Sequence, residues 1–164
     1  MKLSVSLSSD NLDEYRIGLE TINSGFLSDK VFEILKDGNI EIVEVILDRV
    51  KGTNSTKLHI LSEISNTIYR FFKENPNIIL YFFCDDLNAI PNNLKNIEPQ
   101  AYRSQLFSAL FSRHVNKYNI IGIEDISICI DSMGNNEYIH FITRSEHLKY
   151  IEIIKNNIEE IYIK

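Results

Sequence analysis

Apolar and polar positions alternate along the first fifty residues, and the period then changes. Leu3, Val5 and Leu7 alternate with serines, which predicts a short amphipathic strand suited to a sheet edge. Tyr15, Ile17, Leu19 and Thr21 alternate again. The run VFEILK at 31–36 leads into Asp37-Gly38-Asn39, the strongest hairpin signal in the chain, with a return strand over 40–50. That return strand changes phase. Ile40 and Ile42 share one face, whereas Val43, Val45 and Leu47 share the other, so a β-bulge or bend is expected near Ile42–Val43.

From residue 57 to 74 the spacing becomes helical, with Ser55 or Thr56 as N-cap. Leu58, Leu61, Ile64, Ser65, Ile68 and Phe72 form its apolar stripe. Asn75-Pro76-Asn77 ends this helix and feeds IILYFFC at 78–84, a run dense in aromatic and β-branched residues. It reads as a central strand buried on both faces. A second helix over 99–118 carries proline in its first turn, where a missing amide donor costs nothing. Ile126, Ile128 and Ile130 mark a strand over 125–131, which pairs with 138–144 across a Gly134-Asn135-Asn136 turn. Ser145 then caps a last amphipathic helix carrying Leu148, Ile151, Ile154, Ile158 and Ile161. The expectation is a single α+β domain over 1–164. Its antiparallel or mixed sheet has about six strands, with three helices packed mainly on one face.

Composition narrows the class. The chain of 164 residues is 44% hydrophobic and 24% charged, ordinary values for a globular domain with a real core. A net charge of -6, with no concentration of Lys and Arg, opposes nucleic-acid binding and suits a basic protein partner. Two cysteines, without CxxC or Cys/His spacing, give no metal site, and both are expected to be reduced. No apolar stretch is long enough for a signal peptide or a membrane span. The expected location is the cytoplasm, and abundant Ile, Asn and Lys fit an AT-rich, bacterial genome.

The stretch Tyr81 to Asp86, Arg103 with Phe107, and Tyr138 to Arg144 with His147 carry a resemblance. In these the chain resembles a family of small Bacteroidetes proteins in which a strand ends in Tyr-x-Cys-Asp and an Arg-x-x-x-Phe helix follows. The likeness covers about residues 19–161. Here Phe-Phe separates Tyr81 from Cys84, the loop before Arg103 is longer, and Arg113-His114 stands where the family carries an aromatic. The resemblance implies the order of elements and no chemistry.

Candidate polar groups gather at the end of the central strand. Arg103, Phe107, Leu110, His114 and Tyr118 fall on one helical face, and an arginine within an apolar stripe demands an acceptor. Asp85 and Asp86 are the candidates, as a structural clamp or, with His114, as the lining of a ligand site. Arg103 and His114 stand eleven positions apart, about 16 Å along a helix, too far to act on one phosphate. Arg113 and His114 otherwise read as basic groups complementing a helix C-terminus. His140 faces away from the Ile139 and Phe141 side. Asp125 and Asp131 read as solvated strand ends, and Cys84 as a packed thiol. No catalytic motif or cofactor loop occurs.

Two functions follow. One is an acidic binding protein that recognises another protein, as immunity proteins and antitoxins do. The other is a small enzyme or ligand-binding protein using a polar cleft around Asp85, Asp86 and Arg103.

Overall fold

The chain runs β1 (Lys2–Ser8), β2 (Glu14–Ile22), α1 (Asp29–Asp37), β3 (Glu41–Lys51), α2 (Leu58–Glu74), β4 (Ile78–Cys84), α3 (Pro99–Tyr118), β5 (Ile123–Ser132), β6 (Asn135–Arg144), a 3-10 turn (Ser145–His147) and α4 (Leu148–Tyr162). The structure is a computed structural model, and it describes residues 2–8, 13–52, 57–84, 97–132 and 135–162. The expected N-caps Ser55 and Thr56, the acceptors Asp85 and Asp86, and Gly134 of the expected turn lie outside the described residues.

The six strands form one mixed sheet in the order β1-β2-β3-β4-β6-β5. Only β3 and β4 run parallel, as α2 carries the chain from one to the other; the remaining pairs are antiparallel. The α+β class and the mixed six-stranded sheet match the sequence reading. Two details differ: the described residues form four α-helices, and these lie on both faces rather than mainly on one.

The central strand explains why. Ile78, Leu80 and Phe82 of β4 face α2 and α3, with Phe107 of α3 stacked on Phe82. Ile79, Tyr81 and Phe83 face the opposite side, in a core that includes Val31 and Leu35 of α1 and Ile151, Ile154 and Ile158 of α4. A strand apolar at every position must be covered twice. The same logic disposes of the expected bulge. Ile42 packs on the α1/α4 side, and Val43 and Val45 on the α2 side. Pairing runs without interruption from Ile42↔Ile22 to Leu47↔Ile17, and the register shift in this pair falls at Glu14/Tyr15 instead.

The hairpin expected at Asp37-Gly38-Asn39 is the end of α1. Val31 and Leu35, four apart, are its buried positions, and Gly38 N–H bonds back to Ile34 O at 3.1 Å. Glycine leaves room there for α4, because a Cβ would meet the Tyr150 hydroxyl. At the other end of α1, Ser28 N–H donates to Asn157 Oδ1 of α4 at 2.9 Å, so α4 holds this helix at both ends.

Arg144 closes β6 and caps α2. Its guanidinium lies 4.0 Å from the Phe72 ring centroid and donates to Phe72 O at 2.5 Å and Pro76 O at 2.8 Å. The last carbonyls of a helix lack intrahelical donors, and a cation there is doubly favourable. Cys84 and Cys129 are not bonded to each other. They oppose Tyr138 from its two sides, so β6 stands between them. Two strand spacings, about 9.5 Å, exceed the reach of a disulfide.

Candidate functional site between two helices and the sheet

Helix α3 begins at Pro99 and ends at Tyr118, where Asn119 turns the chain into the left-handed region at φ +49°. The face it turns to the sheet is unusual. Ser104, Phe107, Ser108 and Phe111 follow one another at helical spacing, so hydroxyls stand where a packed helix normally carries aliphatic groups.

These hydroxyls have partners. Ser104 Oγ lies 2.8 Å from His140 Nε2, and His140 Nδ1 lies 2.8 Å from Asp125 Oδ1. Ser108 donates to Asp125 Oδ2 at 2.7 Å. The Asp125 carboxylate therefore receives two hydrogen bonds, one of them from His140 Nδ1–H, and the other ring nitrogen, Nε2, pairs with the Ser104 hydroxyl. The network sits in the interior: His140 is 0% exposed and Ser104 8%. Phe107 stacks on Phe82 and rests against the His140 ring at 4.8 Å.

The connectivity is that of a Ser-His-Asp triad, but the setting is not that of a nucleophile. Ser104 is six residues into its helix, so its amide is used by the helical ladder and cannot help hold an oxyanion. Its hydroxyl faces β6 from beneath α3. The network is a polar staple that fixes the rotation and position of α3 on β5 and β6.

Beyond the staple, α2 and α3 part. The sheet-facing stripe of α2 divides: Ile60, Ile64 and Phe71 are buried, whereas Leu61, Ser65 and Ile68 look toward α3. The space between is an apolar cleft of about 90 Å³, open on one side. Leu80, Phe82 and Ile142 of the sheet form its floor, and Phe107, Leu110 and Phe111 of α3 form its far wall. Ser65 explains the room: it is small, and its hydroxyl bonds back to Leu61 O at 2.9 Å, so it offers the cleft no free donor.

His114 lines this cleft, as do Ser65 and Tyr69. Its ring lies 4.9 Å from that of Tyr69 and 4.8 Å from that of Tyr118. Its Nε2 is buried and has no hydrogen-bond partner among the described residues. Burial first, and then the charge of Lys117, hold its pKa below the ordinary histidine value. It is consequently neutral at pH 7, and the expected role as a charge on the helix C-terminus passes to Lys117 in the last turn.

Of the residues singled out from the sequence, His114 lines the cleft and Arg103 does not. Arg103 is half-buried on α3 beside Ser104, and its expected acceptors Asp85 and Asp86 fall outside the described residues. Asp125, read as a solvated strand end, is instead 8% exposed at its side chain and bonded to His140. The orientation of His140 away from Ile139 and Phe141 is as expected, but the direction leads under α3 and not to solvent. The signal available in the sequence was the Ser104/Ser108 pair, one helical turn apart on a face that already held Phe107 and Phe111. Among the described residues, no cluster of His, Cys, Asp and Glu could hold a metal ion, and no helix is long and apolar enough to cross a membrane.

No protein-family model, curated protein or solved structure matches the chain.

Proposed function

We propose that the protein binds a small, largely apolar molecule in the cleft between α2 and α3. The observation that carries this reading is an open apolar cavity of about 90 Å³ walled by side chains of α2, α3 and the sheet. Protein interiors leave few voids larger than a water molecule, and ligand sites are typically apolar hollows with a few placed polar groups. An enclosed apolar cavity of about 150 Å³ takes benzene. This smaller, open one suits the edge of a ring or the end of a short chain.

The test is thermal unfolding with and without toluene, for the parent and for Ser65→Leu, which fills the cleft from the α2 side. Toluene should raise the parent's midpoint and leave the variant's unchanged. An unchanged parent at saturating toluene would overturn the reading.

A second reading, recognition of a protein partner of the immunity or antitoxin kind, draws on the opposite region of the fold. Strand β1 ends the sheet, and among the described residues no strand pairs with the outward amides and carbonyls of Lys2–Ser8, an edge that an added strand fits. Ile46 and Val50 are exposed on one face of β3, two strands in from that edge, and the net charge of -6 favours a basic partner. Successive amides of a strand point to opposite edges, so one of Val5→Pro and Ser6→Pro removes an outward donor. That variant should lose a partner captured by the parent while keeping its response to toluene.

A further inference from the structure

The two edges of the sheet are built differently. β5, at one end of the strand order, carries Glu124, Asp125 and Asp131. Two copies of β5 laid antiparallel about Ile128 would set Asp125 of each against Asp131 of the other, and like charges directly opposite are destabilising. Charges on an edge deter pairing in this way. β1, at the other end, holds one charged residue, Lys2, and no proline, and its pairing with β2 runs without a register shift.

The β1 sequence also reads alike in both directions. About Val5, Leu3 mirrors Leu7 and Ser4 mirrors Ser6. Leu3, Val5 and Leu7 stand opposite Leu19, Ile17 and Tyr15 of the α2-side core, so they carry its apolar face out to the edge. Leu3 is still 40% exposed there.

We propose that β1 pairs with β1 of a second copy of the chain, antiparallel about Val5, joining two six-stranded sheets into one. This inference rests on the reading of β1 as an edge for an added strand, and it names that strand. Leu3 of each copy then meets Leu7 of the other, Ser4 meets Ser6, and Lys2 meets Ser8. The contact is isologous, so it closes at two copies. Charge fits as well. Ser8 stands opposite the exposed Glu14, so Lys2 of one copy lies two strand spacings, about 9.5 Å, from Glu14 of the other. Only a serine side chain stands between them, and two long side chains close that gap. The pair Lys2 makes within its own chain, with Glu20 at 2.8 Å, is exposed on both sides and weak.

The experiment is sedimentation equilibrium of the full chain up to about 1 mM, where even weak complexes form. The parent's mass should rise with concentration toward twice that of one chain. Ser4→Glu/Ser6→Glu sets like charges against each other at two places and should weaken the dimer about tenfold. Ser4→Lys/Ser6→Glu sets opposite charges at the same two places and should keep it. Both serines are exposed, so the core is untouched, and equal unfolding midpoints check this. A parent of single-chain mass throughout would overturn self-pairing, as would equal dimerisation by the two variants. The edge reading itself fails separately, if the parent and both proline variants of β1 capture the same proteins.

Discussion

His140 and Asp125 are bonded diagonally across two neighbouring strands. In register His140 opposes Ser127 and Asp125 opposes Ile142, yet Nδ1 and Oδ1 are 2.8 Å apart. The offset slants the imidazole so that its other nitrogen meets Ser104, while the second carboxylate oxygen meets Ser108. Two strands and one helix are thereby tied through a single carboxylate.

Removing one member of this network leaves the others buried and unsatisfied. His140→Phe and Asp125→Ala are each expected to cost about 3 kcal/mol, the scale for breaking a buried pair from one side. The double variant should cost clearly less than the sum, because the second change removes a group already stranded. Urea unfolding of the four proteins gives the coupling. Strict additivity would show that the two residues act separately.

Arg144 makes a second prediction. Its guanidinium donates to Phe72 O and Pro76 O while stacking on Phe72, a combination that an ammonium cannot reproduce. Arg144→Lys should lose about 2 kcal/mol, the scale of hydrogen bonds to a charged donor. Amide exchange should quicken chiefly in the last turn of α2. Uniform quickening across the sheet would indicate a different role.

How far the sequence disclosed this molecule depended on whether an element was read by its own pattern or by its neighbours. Strand β4 and helix α3 were legible because IILYFFC and Pro99 are self-sufficient signals. The VFEILK run was misread because Asp-Gly after an apolar segment suits both a hairpin and a helix end. What decides between them is the core in which Val31 and Leu35 are buried with Ile151, Ile154 and Ile158 of α4, more than a hundred residues away. The phase change in β3 was real, but its cause was a second buried face rather than a bulge. In the site, His114 could be named and its cleft could not, since the cleft exists only where α2 meets α3.

Histidine burial predicts the pH response. His147 lies in the 3-10 turn before α4 and is 7% exposed. Burial is the largest influence on its pKa and depresses it; Arg144 and Lys149 act in the same direction and Glu146 opposes them. His114 is depressed as well, by burial and Lys117. For both groups the unfolded chain takes up the proton first. Their contribution to stability is thus present above about pH 6.5 and is lost as pH falls through the lower folded-state values. Denaturant midpoints at pH 7.5, 6.5 and 5.5 should decline, and His147→Phe should decline less steeply. Equal slopes for parent and variant would contradict the assignment to His147.

The most direct test of the binding account is a methyl-resolved NMR titration of the parent with toluene. The account predicts saturable shifts concentrated on Leu61, Ile68, Leu110, Val115 and Ile142, which line the cleft. Val31, Leu35, Ile151 and Ile158, on the far side of the sheet, should stay in place. Shifts spread evenly over both faces, or none at saturation, would contradict it.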